Sequence, residues 1–540
     1  MDKYKKFMYI GIFILLISLV SSAGTYAWFT WISPSNTSVT LSIGNLADVT
    51  FTSGPDINIS NLAPVYNYTD GVSTTFTVRN ANSTDSLLYK VKLEITSIAN
   101  ELKNESFKYT LLKDNKVVKT GNLKDAINGN TLILNTSSLD KGSTSSPKIS
   151  TFKLYFWLDG NMENNSNMMN KSLVGKIDVG IETNVITNTE SSISSTSKFL
   201  NTEVPRQNIS TLKVVDNLDI PEGATVVDVS KNNDNTIKMW YNGADANGNY
   251  DITIGSNNTI YANPSSTSGL FSNLTNVTSI DLSNMDTSGM TNMSNMFSDN
   301  TSLTNITFGD NFNTANVTNM SGMFKNCTIL KTIDLSSFNT SNAIIFASMF
   351  MNCQGLQNLD LKSFNTSNVT SMLSMFYNCS SLTSLDLSSF NTSNVERMET
   401  MFYNCSSLTS LDLSNFDTSK ITDMTYMFNR CKSLTSINLS SFDTSNVSSL
   451  YDAFAGLTSL KVLDLSSFDT SKVTNMGRMF LNSNNLVTIY VSDLWNISNV
   501  TAASRMFEGC TSLKGAVPYD SSKTDASMAN YTNGYLTKKL

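Results

Sequence analysis

The sequence predicts an α+β chain whose carboxy-terminal half is a solenoid of about nine 26-residue units, each a strand, a turn and a helical segment. Two observations predict the solenoid: a Met-Phe pair recurs every 26 or 27 residues from Met296 to Phe507, and five cysteines recur every 26 residues. A third observation, strand-like alternation without a repeat before residue 188, predicts a preceding all-β sandwich. An apolar amino-terminal segment predicts a signal or anchor helix.

The amino-terminal segment has the pattern of an export signal. Lys3, Lys5 and Lys6 precede an apolar run from Phe7 to Val20, and small residues follow. Residues 1–27 are therefore interpreted as a signal peptide. The alternative is a retained membrane anchor, because residues 7–32 are long and apolar enough to cross about 30 Å of hydrocarbon. In both cases the remaining chain is predicted to be secreted or held at the cell surface.

Residues 28–188 read as the β-sandwich domain. Alternating segments such as 74–78 and 152–157 are separated by Gly, Asn and Asp, as in sandwiches. The string GTYAWFT at residues 24–30 and the N-L-x-P segment at Asn61 to Pro64 resemble the TasA and camelysin group of secreted matrix-fibre proteins. Residues 189–205 are rich in Ser and Thr and are interpreted as a linker.

Each repeat unit combines two periodicities. In SLTSLDLSSFNTSNVERMETMFYNC, residues 381–405, a strand-like segment is followed by a turn and then by apolar residues at helical spacing. The strand contributes Leu382, Leu385, Leu387 and Phe390, and the helical segment contributes Val395, Met398, Met401 and Phe402. One unit is too small to bury its own core, so neighbouring units must stack. The methionines are interpreted as core residues and not as ligands for a soft metal.

The cysteines occupy one position of the repeat, three residues after each phenylalanine of the Met-Phe pair. This spacing predicts a structural ladder of buried free thiols, and disulfide pairing of neighbouring cysteines is the alternative. The ladder comprises Cys327, Cys353, Cys379, Cys405, Cys431 and Cys510.

The repeat resembles that of the BspA-type leucine-rich-repeat surface proteins of bacteria. The resemblance is carried by LTSLDLSNFDTSKITDMTYMFNRC, residues 408–431. It implies a leucine-rich-repeat-like solenoid over residues 276–517, a β-rich amino-terminal cap over 206–275 and a carboxy-terminal cap over 518–540. It also implies adhesion to host matrix proteins, other cells or mucosal surfaces.

An acidic residue precedes the last inward leucine of most repeat strands and is predicted to face outward on a concave surface. Carboxylates about 5 Å apart repel by roughly 1 kcal/mol per pair in water. We interpret the row as a candidate ligand-binding strip, and solvation by neighbouring Ser and Thr hydroxyls is the alternative. The row comprises Asp281, Asp334, Asp360, Asp386, Asp412 and Asp464.

Composition narrows the function. The chain has no histidine, a net charge of −7 and only 15% charged residues, which argues against nucleic acid as a partner and against histidine-based catalysis. No catalytic or metal-ligand motif is found, so no enzyme activity, metal or cofactor is expected.

We therefore predict an exported, adhesin-like binding protein whose partners are extracellular proteins, cell surfaces or glycans. The alternative is a structural subunit of an extracellular fibre that self-assembles through the β-sandwich.

Overall fold

The computed structural model describes residues 38–43, 46–52, 57–59, 64–80, 87–127, 129–139, 142–143, 145–161, 167–168, 171–182, 184–187, 193–264 and 268–539. The predicted signal or anchor helix lies outside the described residues. The chain divides into two compact units, with the boundary between Ile181 and Glu182.

The first unit consists of two antiparallel sheets. Its strands are β1 Ser38–Ile43, β2 Leu46–Thr52, β3 Ile57–Ile59, β4 Pro64–Val65, β5 Val72–Asn80, β6 Leu87–Ile98, β7 Phe107–Lys113, β8 Lys116–Asn122, β9 Thr131–Leu139, β10 Lys148–Asp159 and β11 Leu173–Ile181. In the described part of the chain, one sheet has the order β1-β2-β5-β10-β7-β8, with β4 paired in parallel to β10, and the other has the order β3-β11-β6-β9.

The core of the first unit lies between these sheets. Phe76 of β5 and Phe152 of β10 are register partners with ring centroids 5.1 Å apart. Tyr89, from β6 of the other sheet, packs its ring edge-on against Phe152 at 6.1 Å. Both phenylalanines and Tyr89 are almost completely buried, so alternate residues of β5, β6 and β10 form one apolar core.

The second unit begins with a sheet that leads into the repeats. Its strands are β12 Ile209–Val215, β13 Thr225–Asp228, β14 Lys238–Tyr241, β15 Tyr250–Gly255, β16 Ile260–Tyr261, β17 Ser279–Leu282, β18 Met285–Asp286, β19 Asn305–Phe308, β20 Ser410–Asp412, β21 Ser436–Asn438, β22 Val462–Asp464, β23 Thr488–Val491 and β24 Thr537–Lys538. The first sheet, which we call the cap sheet, has the order β13-β14-β15-β12-β17-β19. Phe199, Leu200 and Val204, which the sequence analysis assigned to the linker, are buried in the core of this unit.

Successive repeats stack as parallel coils. β17 pairs with β19, β20 with β21 and β22 with β23, all in parallel and with a shift of 26 residues. Inside the stack, the phenylalanines of the Met-Phe pairs form a continuous column. Phe350 and Phe376 are stacked at 5.9 Å, and Phe376 and Phe402 at 5.8 Å. The core is therefore shared between layers, because each ring packs on both neighbours.

The predicted α+β class and its strand-turn-helix unit are wrong. Among the described residues there is no α-helix, and the helical content is limited to short 3₁₀ turns. These turns are Tyr68–Asp70, Asn100–Leu102, Phe199–Asn201, Arg206–Asn208 and Ala526–Met528. The segment around each Met-Phe pair is a series of tight turns, so the solenoid is built from strands and turns. No described helix is long and apolar enough to span a bilayer.

Backbone conformation and hydrogen bonding explain why this segment is not helical. Ser374 and Asn378, on either side of Met375 to Tyr377, have left-handed φ angles of 55° and 59°, which an α-helix excludes. The N–H groups alternate in direction. Those of Met375 and Tyr377 close turns within the coil, whereas those of Ser374, Phe376 and Asn378 donate to the next coil. Three of these five N–H groups thus serve the stacking of coils, whereas a helix would have used them internally.

Candidate binding face

The six predicted aspartates occupy one position of the repeat. Asp281, Asp412 and Asp464 lie in β17, β20 and β22, and the other three lie in equivalent segments to which no strand is assigned. Asp281 is the register partner of Lys213 in β12, and Asp464 is the register partner of Tyr490 in β23. We call this line of residues, from Lys213 to Tyr490, the strand row. Its aspartates are Asp281, Asp334, Asp360, Asp386, Asp412 and Asp464. Four of them are exposed, and Asp281 and Asp464 at the two ends are half-buried.

Every aspartate of the strand row also closes a local turn. The Oδ1 atom of Asp386 accepts hydrogen bonds from the backbone N–H and the hydroxyl of Ser388, at 3.1 and 2.7 Å. The same bond to the N–H two residues later is made by Asp281, Asp334, Asp360, Asp412 and Asp464. Asn438, which replaces aspartate in one coil, accepts from the N–H of Ser440 at 3.2 Å. The recurrence of the acid therefore has a structural cause, since Asx turns need a side-chain acceptor here.

These turns outweigh the expected repulsion between neighbouring carboxylates. Hydrogen bonds from the hydroxyl and the N–H of Ser336 lower the pKa of Asp334, and those from Ser388 lower the pKa of Asp386. The pKa of Asp412 is lowered mainly by the N–H of Ser414. At Asp464, burial raises the pKa, but hydrogen bonds from Lys539 and Ser466 lower it more. These four aspartates of the strand row are therefore ionised at neutral pH.

The six cysteines are all buried and free. The thiol of Cys379 donates to the backbone carbonyl of Phe350, one coil earlier, at 3.1 Å. The others make the same kind of bond at 2.9 to 3.2 Å. Ser483 occupies this position in a coil without cysteine, and its hydroxyl donates to Phe454 at 2.9 Å. The thiols thus act as small buried donors that connect coils, and no described Cys, Asp or Glu cluster could hold a metal ion.

A cleft on the cap sheet was not found by sequence reasoning. It has a volume of about 550 Å³ and includes Lys213, the first residue of the strand row, together with Trp240 and Tyr241. We call it the cap groove. The 26-residue period could not indicate it, because its residues precede the repeats. The available signal was the cluster of two aromatic residues in MWYNG, residues 239–243.

A second cluster missed by sequence reasoning lies on the turn segments of the middle coils. The rings of Tyr377 and Tyr403 are stacked at 4.5 Å, and Tyr426 packs edge-on against Tyr403 and against Tyr451. The guanidinium of Arg478 lies 5.7 Å from the centre of the Tyr451 ring. It also forms an ion pair with the fully buried Asp452, with 3.0 Å between Nε and Oδ2. The tyrosines and Arg478 are half-buried, and they contact one another or Asp452.

Comparison with known proteins gives one result for the repeats. Residues 265–384, 356–412 and 405–521 match the family described as "Mycoplasma protein of unknown function, DUF285". The repeat region is similar to that family. The cap groove precedes the match, whereas the aspartates of the strand row lie within it. A search of curated proteins finds no match.

Proposed function

We propose that the protein is an exported cell-surface binding protein, adhesin-like in its action, that recognises partner molecules along the strand row. The observation that carries this proposal is the row itself. It is a line of solvent-facing polar side chains at one position of the repeat, each aspartate held in place by the turn that it closes. Such a surface is preorganised, so little conformational entropy is lost when a partner binds.

The chemistry of the row suits partners that carry hydroxyl, amide or ammonium groups. The turns of Asp360 and Asp386 use only Oδ1, and Oδ2 of each makes no hydrogen bond within the described chain. The phenylalanine rings of these coils stack at 5.9 and 5.8 Å, so free acceptors recur once per coil. Many such contacts along an extended partner add up to useful affinity, even where each is weak. Extracellular proteins, glycans and cell surfaces are the partners that we propose.

A matched pair of variants tests the strand row. The triple variant Asp360→Asn, Asp386→Asn and Asp412→Asn removes three charges, while Asn438 shows that asparagine maintains the turn. The control is Asp417→Asn, Asp443→Asn and Asp469→Asn. Those aspartates close the same type of turn elsewhere on the coil, at a position that asparagine occupies in other coils.

The two triple variants and the wild type are applied to arrays of immobilised glycans and purified matrix proteins. We expect the row variant to lose about tenfold or more in affinity for whatever the wild type binds, and the control to bind as the wild type does. Equal binding by all three proteins would remove the strand row as a binding surface.

The alternative function, a fibre subunit, draws on the first unit. In the described residues, β8 and β9 are terminal strands of their sheets, and they carry the exposed apolar side chains Val117 and Ile133. Exposed edge strands of this kind can pair with another chain. Electron microscopy of the purified protein tests this proposal. Filaments that form without a partner, and that disappear in a Val117→Lys variant, would favour the fibre function.

A further inference from the structure

The cap groove lies at the first end of the strand row. Its floor is formed by alternate residues of β12, because successive side chains of a strand point to opposite faces, and by part of β15. Lys213 is the register partner of Thr253 on one side and of Asp281 on the other. Its further lining includes Thr211, Asn217, Trp240 and Tyr241. At about 550 Å³, the groove is within the range of ~300–1,000 Å³ that is typical of small-ligand sites.

Trp240 is the most informative residue of the groove. Trp240 is only 6% exposed, and its indole N–H makes no hydrogen bond in the described part of the chain. That nitrogen is not among the buried polar atoms without a partner, so it is accessible to solvent, and Trp240 lines the groove. The indole ring packs closely against Gly255, where an added Cβ would lie only 2.4 Å from the ring. The structure therefore fixes an aromatic ring and an unused donor in the wall of the groove.

Lys213 provides a second unused donor. The bonds that Asp251 accepts from the hydroxyls of Ser210 and Thr211, and that Asp281 accepts from Ser283, use Oδ1 in each case, and neither carboxylate pairs with Lys213. Within the described residues, Lys213 itself forms no ion pair and no side-chain hydrogen bond. Lys213 is exposed to solvent, so both it and the indole N–H of Trp240 are open to acceptors of a ligand.

The remaining lining defines the class of ligand. Asp219 and Asp251 face the single cation Lys213, so the groove has no surplus of positive charge that would favour an anion. Thr211, Asn217 and Asn242 contribute hydroxyl and amide groups that both donate and accept. Tyr241, held edge-on against Tyr250 at 5.2 Å, adds a second aromatic surface. Aromatic surfaces next to groups that both donate and accept suit a molecule with apolar C–H faces and many hydroxyls.

We propose that the cap groove binds a saccharide unit of a neutral glycan, with Lys213 and the Trp240 N–H donating to its oxygens and the two aromatic rings packing on its C–H faces. This inference rests on the proposed function, because it places one end of a glycan partner at the Lys213 end of the strand row.

The experiment measures binding of neutral mono- and disaccharides of glucose, galactose, mannose and N-acetylglucosamine to the full chain by saturation-transfer NMR. We expect at least one of them to bind. Lys213→Met and Trp240→Phe should each weaken that binding about tenfold, because each removes one donor and retains most of the side chain. The control is Lys432→Met, an exposed lysine on a loop of the repeats, which should have no effect.

Three outcomes would overturn the inference: no saccharide in the panel binds, binding is insensitive to both groove substitutions, or glucuronic acid binds more tightly than every neutral sugar. The variants of the strand row separate this inference from the proposed function. If the row variant loses binding to the arrays while the groove variants keep all their binding, the groove proposal fails and the proposed function stands. If only the groove variants lose binding, the role of the strand row fails and the groove proposal stands.

Discussion

The hydroxyl of Thr366 donates a hydrogen bond to the backbone carbonyl of Asn391 in the next coil and accepts one from the N–H of the same residue, both at 2.8 Å. Thr366 is almost completely buried. The same reciprocal pair joins Thr340 to Asn365 and Thr392 to Asp417. One buried hydroxyl per coil therefore satisfies two backbone groups of its neighbour.

Replacing this hydroxyl should be costly. Thr366→Val keeps the shape of the side chain but leaves the N–H and carbonyl of Asn391 without these bonds, so the free energy of unfolding should fall by about 1–3 kcal/mol. Thr366→Ser retains the hydroxyl and should cost less. Urea unfolding followed by circular dichroism compares the two variants. A valine variant as stable as the serine variant would contradict this role for the hydroxyl.

The left-handed residues allow a stabilising substitution. Ser348 has φ of 57°, and its position is occupied by Gly322 in the preceding coil. Because a residue with a Cβ pays about 1 kcal/mol or more in this conformation, Ser348→Gly should leave stability unchanged or raise it by up to about 1 kcal/mol. Ser348→Val should lower it. Thermal unfolding midpoints check the order, and a valine variant that melts above the glycine variant would exclude it.

The thiols should be unreactive in the folded protein. Burial raises the pKa of Cys353 and of Cys431 to about 12, and it raises those of Cys327, Cys379 and Cys405 well above their usual range. The reactive thiolate is therefore almost absent at pH 8. Ellman's reagent should label no cysteine under native conditions and all six in guanidinium chloride. Fast labelling of the native protein would show that the column opens readily.

The strand row should make stability depend on pH. The pKa values of Asp386 and Asp412 are lower in the folded chain, so their contribution to stability is complete above the unfolded pKa near 3.8 and is lost as the pH falls through the folded values. Asp386→Asn with Asp412→Asn should therefore melt below the wild type at pH 7. The difference should narrow below about pH 4. A difference that widens in acid would show that repulsion dominates instead.

Whole coils should be removable. Deletion of residues 380–405 joins Cys379 to Ser406 and restores the same sequence neighbours, so the remaining layers can stack as before. The second unit should remain folded and resistant to protease. The control, deletion of residues 380–392, brings a turn segment to the place of a strand and should unfold the neighbouring layers. Equal protease resistance of the two variants would contradict stacking in 26-residue register.

The sequence was sufficient to predict that the coils stack and which residues of each coil are buried. It was not sufficient to predict the local backbone conformation of each coil. Leu382, Leu387 and Phe390 are buried, as their alternation indicated, because a shared core requires apolar residues at fixed positions. Met398 and Met401 are buried too, although the segment is not helical. A spacing of three or four residues is also produced by successive tight turns, and periodicity alone does not distinguish the two.

The decisive signal was the choice of residue at the left-handed positions. Asn378 and Asn404 alternate along the repeats with Gly456 and Gly509, and all four have positive φ. Exchange between asparagine and glycine is typical of the left-handed region and argues against a helix. The cap groove had no equivalent signal. Its walls come from β12, β14 and β15, and Lys213 and Trp240 are brought to either side of Thr253 only by the sheet order, which no local pattern indicates.

The last strand, β24, lies in parallel on β23, and the N–H of Lys539 donates to the carbonyl of Val491 at 2.8 Å. Lys539 also forms an ion pair with Asp464. A stack of near-identical coils whose last strand is unpaired would offer an edge on which another molecule could add a strand and extend the array. By lying along that edge, β24 occupies the backbone groups of β23 through which another molecule would otherwise extend the array.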